Sequence, residues 1–172
     1  GVAGAGGLLL TQGYRMERIT VWLDPAASEK GHQTIQGLYA IGSGGLFGKG
    51  LGQSMQKLGF LPEANNDMIF SVICEELGLF GALCVLALFF ALIWRFMVIA
   101  VNAPDLYGSM IVVGVIAHIG IQVFINIAVA TNTIPNTGIP LPFISYGGSS
   151  LVFMLLEMGL VLSVSRYINV KK

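Results

Sequence analysis

The stretch LPEANNDMIF, residues 61–70, closes a polar segment ahead of an apolar run and carries a carboxylate, Asp67. A carboxylate beside a substrate hydroxyl can act as a general base if it is ionised and within reach. Asn65 or Asn66 can cap the following helix, which places Asp67 in or beside its first turn, where the macrodipole favours negative charge. Acids in this position are also routine helix stabilisers, so position alone assigns no chemistry. At ~100° per residue, Asp67 shares a helical face with Ser71, Cys74, Gly78 and Gly81, all small. Such a face either packs closely on another helix or leaves a groove leading from the carboxylate into the lipid layer. Glu63, four residues earlier, forms a carboxylate pair with Asp67 if the helix starts early, the arrangement a glycosidase or a magnesium site uses. Glu75 and Glu76, about two turns on, read as interfacial anchors or as partners for arginines of the preceding loop.

A second group of polar residues lies inside apolar sequence. His118, Gln122 and Asn126 stand at i, i+4 and i+8, a stripe that must face protein or water rather than lipid. Interhelical hydrogen bonding and the lining of a cavity both account for it. Glu157 sits near the middle of a later apolar stretch, and by depth its expected partner is His118. Elsewhere familiar motifs fail. Gly48-Lys49 is followed by Gly50 where a phosphate-binding loop needs Ser or Thr after the Lys, so no nucleotide site is indicated. Cys74 and Cys84, ten residues apart on one expected helix, are too far apart for a disulfide and supply no Cys-based metal site.

These groups have to be positioned by membrane-spanning elements. Of 172 residues, 55% are hydrophobic and 10% charged, and the mean hydropathy is +0.78, which marks a membrane protein. Leu77–Trp94, Gly108–Ala130 and Ser150–Tyr167 are long enough, at ~1.5 Å per residue, to approach or cross a ~30 Å hydrocarbon layer. They should be helices, which satisfy their own backbone polar groups. The expected order is the end of a truncated helix (1–10), an extracytoplasmic loop with short amphipathic helices (11–68), a span (69–95), a cytoplasmic loop (96–107), a span (108–130), a Pro/Gly loop (131–149), a span (150–168) and a tail (169–172). Arg95, Arg166, Lys171 and Lys172 follow the first and third spans, while residues 131–149 carry no charge, so the basic ends are assigned to the cytoplasm. Both loops then face outward. Near-zero net charge without a basic cluster argues against nucleic acid. The glycine-dense stretch HQTIQGLYAIGSGGLFGKGLGQSMQKLGF reads as a re-entrant or interfacial segment whose glycines permit tight turns and close packing.

Three stretches, YRMERITVWLDP, GGLFGKGLGQSMQKLGFLPEANNDMIFSVICEELGLFG and IPNTGIPLPFISYGGSS, together resemble the SEDS family, the FtsW, RodA and SpoVE group that polymerises peptidoglycan glycan strands. The run QKLGFLPEA is nearer to FtsW and SpoVE than to RodA. The resemblance implies an all-α polytopic membrane protein, with this chain as the C-terminal helices of a ten-helix fold in the bacterial cytoplasmic membrane. It implies Asp67 as the essential acid of a glycosyltransferase, lipid II as substrate, a class B penicillin-binding protein as partner transpeptidase, and other membrane proteins of division or elongation as further partners. On that chemistry the acceptor hydroxyl gives its proton to Asp67. The leaving diphosphate is then stabilised by Arg15, Arg18, Lys49, Lys57 or a divalent cation such as Mg or Mn. Glu63, Ser145 and Ser149, within the matching motifs, complete the substrate-binding candidates. The sequence departs from many relatives in having Asn65-Asn66-Asp67 for HTD, and Asn136-Thr137 where some carry a Lys. Two other classes of function fit the same residues, a transporter of the lipid-linked precursor and a non-catalytic scaffold of the division machinery.

Overall fold

The computed structural model describes residues 18–25, 31–54 and 66–168. It is all helical, with no strand among the described residues. After a short helical segment at 18–23 come α1 (His32–Gly44), α2 (Ile69–Val101), α3 (Leu106–Ala130) and α4 (Gly148–Ser165). The last three are long and apolar enough to cross a membrane. Four residues join α2 to α3, so these helices are antiparallel neighbours. The start of α2, the end of α3 and the 131–147 connection therefore share one end of the bundle.

Helix α2 runs on through the apolar Phe96–Val101, past the expected end of the first span, because nothing there breaks it before Asn102 and Pro104. Asp105 then caps α3, its carboxylate accepting from the Gly108 amide at 3.0 Å. At the other end of α2 the asparagine cap is not formed. The N-cap is Met68, with no side-chain cap bond, and Asp67 lies in the turn just outside the helix.

Helix α2 is broken at Gly78, whose φ of 68° and ψ of −165° are non-helical. In an unbroken helix the amides of Leu79 and Phe80 would donate to the carbonyls of Glu75 and Glu76. Here they donate instead to Gly45 and Leu46, while the freed carbonyls of Glu75 and Glu76 accept from the amides of Lys49 and Gly50, all at 2.9–3.2 Å. The glycine-dense loop thus re-pairs these four backbone groups at the break, as a low-dielectric site requires. Contact is close enough to demand glycine: a Cβ on Gly78 would stand 2.3 Å from the Gly48 nitrogen, and one on Gly44 would stand 1.9 Å from the Cys74 carbonyl oxygen. The 23 residues from Leu79 to Val101 rise ~34 Å and suffice to cross the hydrocarbon without the first turns.

The core lies along the α2–α3 seam, where Phe89, Phe96, Val112, Val115 and Ile119 are buried, with Met154 and Val161 of α4 added to it. Leu88, Phe90, Trp94 and Phe124 project outward, as a lipid-facing surface permits. The small face of α2 packs on α1: Ser71, Cys74 and Gly78 are buried, and Gly37 of α1 lies against Ser71. Of the two arrangements open to that face, close helix packing is the one formed.

Candidate functional site

Asp67 is placed by three elements. Its backbone carbonyl accepts from Asn126 Nδ2 of α3 at 2.8 Å, and the same amide group donates to the Ile139 carbonyl, also at 2.8 Å. Asn126, 1% exposed, therefore pins the Asp67 turn and the Pro/Gly loop to one point on α3. Ser145 adds a second tie, with its hydroxyl donating to the Asn66 carbonyl at 2.5 Å and accepting from the Leu141 amide at 2.7 Å. From α1, Gln33 Nε2 donates to Asp67 Oδ1 at 3.3 Å.

The outcome differs from a groove open to the lipid layer. Asp67 is 8% exposed, because α1 lies against the start of α2 and the 131–147 connection is fastened to its backbone. Asp67 lies in the turn just before α2, at the same end of the bundle as the end of α3 and the 131–147 connection.

Loop 131–147 is tied in further. Arg18 Nη1 donates to the Asn136 carbonyl at 2.9 Å, and Trp22 Nε1 donates to the Asn132 carbonyl at 2.9 Å. Asn136 Oδ1 accepts from the Gly138 amide at 3.0 Å, and its Nδ2 stands 3.5 Å from Gln33 Oε1. Asn136 thus touches the residue that touches Asp67. Ser149 is exposed in the first turn of α4. Arg15, Lys57 and Glu63 lie outside the described residues.

Glu75 departs from its expected place, and Lys49 is found paired with it. Glu75 is fully buried rather than an interfacial anchor, and its partner is a lysine rather than an arginine: Lys49 Nζ lies 2.7 Å from Oε1. Ser54 donates to Oε2 at 2.5 Å, and Ser43 approaches Oε1 at 3.5 Å. A lysine that neutralises a buried carboxylate serves the packing of the glycine-dense loop before it can serve a phosphate. Glu75 falls on the same small-residue face as Ser71 and Gly78, and that was the available signal. Glu76 is half-buried, its Oε1 without a hydrogen-bond partner among the described residues.

Lower in the bundle, His118 Nδ1 and Glu157 Oε1 are 2.7 Å apart, and His118 Nε2 lies 3.1 Å from Gln122 Nε2. This cluster joins α3 to α4 on a face that the described residues leave partly open. Asn126, the third member of the stripe, belongs instead to the Asp67 site. No group of three or more His, Cys, Asp or Glu side chains among the described residues could hold a metal, and Cys74 and Cys84 are free.

Residues 1–170 match a family model described as "Cell cycle protein", FTSW_RODA_SPOVE. The chain belongs to the FtsW/RodA/SpoVE family. Within the family it is 56% identical over 171 residues to Stage V sporulation protein E of Bacillus subtilis, covering 97% of this chain and 46% of that protein. It is 46% identical over 163 residues to the probable peptidoglycan glycosyltransferase FtsW of the same organism, covering 94% of this chain and 40% of that protein. Among solved structures it resembles a chain from work on the coordination of polymerization and crosslinking by a peptidoglycan synthase complex. That match has a TM-score of 0.69 at 29% identity, over 96% of this chain and 48% of the other. The rod shape determining protein RodA of Thermus thermophilus matches with a TM-score of 0.57 at 38% identity, over 77% of this chain and 40% of the other. The chain thus spans less than half the length of these FtsW/RodA/SpoVE relatives.

Proposed function

We propose that these residues form the C-terminal helices of a ten-helix polymerase of peptidoglycan glycan strands that uses lipid II, with Asp67 as its general base. The acceptor sugar hydroxyl attacks the anomeric carbon of the donor and transfers its proton to the Asp67 carboxylate. A new carbon–oxygen bond forms with inversion as the bond to diphosphate breaks, and the diphosphate leaves with the electron pair. A substrate whose tail remains in the bilayer presents its sugars just beyond it, at the height of a residue that precedes the membrane-crossing part of α2. Low exposure suits the role, since a carboxylate shielded from bulk water interacts more strongly with an incoming hydroxyl. The protein is placed in the bacterial cytoplasmic membrane with this site on the extracytoplasmic side, beside a class B penicillin-binding protein as transpeptidase.

The observation that carries the reading is a carboxylate met by Gln33 on a turn whose backbone is held by α3 and the 131–147 loop, at the mouth of a membrane helix, in a chain whose relatives include proteins named probable peptidoglycan glycosyltransferases. Diphosphate stabilisation is assigned to Arg18, and to Arg15 and Lys57, rather than to Lys49.

The transport reading draws support from two features, the broken α2 and the His118–Glu157 pair. The break falls in the first third of α2 rather than at its centre, which favours the enzyme. The full-length protein with Asp67→Asn separates the two. We expect glycan polymer from purified lipid II to fall by at least ~100-fold with precursor flipping in vesicles unchanged. Undiminished polymer would falsify the base assignment, and loss of flipping would favour transport.

A further inference from the structure

We infer that Gln33 is a positioning residue for Asp67, orienting the carboxylate for proton transfer, and that Asn136 sets the direction of the Gln33 amide. The inference rests on the reading of Asp67 as the base.

Gln33 occupies the first turn of α1, on a half-buried position that faces the start of α2. Its Nε2 meets Asp67 Oδ1 at 3.3 Å, and its Oε1 faces Asn136 Nδ2 at 3.5 Å. A carboxamide can present either end to a carboxylate, and only the nitrogen end is favourable. An amide donor on the Oε1 side favours the orientation with Nε2 toward Asp67. Asn136 is itself held, through Oδ1 by the Gly138 amide and through its carbonyl by Arg18. The chain of contacts therefore runs from Arg18 through the charge-free loop to the carboxylate, and crosses between segments 103 residues apart in sequence at the Asn136–Gln33 contact.

The chemistry explains why a neutral donor belongs here. A lysine or arginine in the same place would stabilise the ionised carboxylate strongly and lower its basicity. A glutamine fixes the plane of the carboxyl group through Oδ1 and leaves its charge in place. Sequence periodicity gives no hint of this role, because a glutamine near the start of an amphipathic helix looks like any solvent-facing residue.

The test uses the full-length protein and purified lipid II, with kcat and KM measured separately. Gln33→Leu removes both amide ends at similar length, and Gln33→Glu keeps the shape while replacing the donor with an acceptor. We expect kcat to fall roughly 10- to 100-fold in both, with KM within about two-fold and unfolding temperature in detergent near that of the parent. Asn136→Ala should give a smaller loss of kcat in the same direction. In the Asp67→Asn background, Gln33→Leu should cause no further loss, because groups that act as a unit are non-additive. A kcat within two-fold of the parent in both Gln33 variants overturns the inference, as does a lower kcat accompanied by an equal loss of folded protein. If Asp67→Asn itself retains full activity, the base assignment fails first, and that result is distinguishable from normal Gln33 variants in a protein that Asp67→Asn inactivates.

Discussion

Glu75 shows what a single buried charge demands of its surroundings. Its carboxylate has no exposure and is met by Lys49, Ser54 and Ser43, while the Lys49 side chain remains 34% exposed. Removing the cation leaves an uncompensated charge, which for a fully buried pair costs about 3–5 kcal/mol; the open side of this pair places the expected loss nearer ~2–3 kcal/mol. Lys49→Met should therefore lower the unfolding temperature of the full-length protein, and Lys49→Met with Glu75→Gln should recover most of it, since the buried charge is then gone. A Lys49→Met protein as stable as the parent but unable to use lipid II would return Lys49 to the phosphate-binding set. Asn126 poses the converse case of a neutral residue. Asn126→Leu strips two carbonyls, those of Asp67 and Ile139, of their donor in a buried site, at about 1–3 kcal/mol each. The loop and Asp67 lose a common anchor, so, on the proposed role of Asp67, polymer formation should fall along with stability, and a variant unchanged in both would show that the two carbonyls find other donors.

At the scale of elements, the break in α2 depends on Gly78 and on the returning loop together. Alanine at position 78 has to adopt a left-handed φ and stand 2.3 Å from the Gly48 nitrogen. The helix must then straighten and expel the loop, or carry the strain, at a cost of at least ~1–3 kcal/mol. Gly78→Ala should make the Lys49–Gly50 bond markedly more sensitive to trypsin and lower the unfolding temperature. Gly114→Ala, at a helical site with nothing within 4 Å of the added carbon, should be neutral or stabilising by up to ~1 kcal/mol. Equal trypsin sensitivity in the two variants would mean that the loop does not need the break. This contrast also explains how much could be read from sequence. The three spans were legible because long apolar runs have few alternatives to a helix in lipid. The His118–Glu157 pairing was legible because counting residues fixes depth. The break at Gly78, the burial of Glu75 and the contact from Gln33 were not, since each is made by a segment distant in sequence and leaves no period in its own. The small-residue face of α2 announced that something would pack there without naming α1.

For the molecule as a whole, the position of polar groups on the helical bundle indicates what the 172 residues can do by themselves. His118 has 43% and Glu157 24% of its side chain exposed, on helices whose outward residues include many large apolar ones, among them Met110, Ile121, Phe124, Leu156 and Leu160. In hydrocarbon such a pair is costly unless protein or water covers it. In the isolated chain, the double change His118→Leu with Glu157→Leu should raise the unfolding temperature in detergent, because an apolar pair of similar size removes the desolvation cost of the polar one. A lowered temperature would mean that the pair holds α3 to α4 strongly enough to outweigh that cost. Catalysis should behave differently. The chain spans less than half the length of its relatives, and the described residues form one side of an assembly around Asp67 with no metal group and few cations. The isolated 172 residues should therefore form no glycan polymer from lipid II under conditions in which the full-length protein does. Turnover by the isolated chain would show that α1 to α4 and the loops between them already contain the whole substrate cavity.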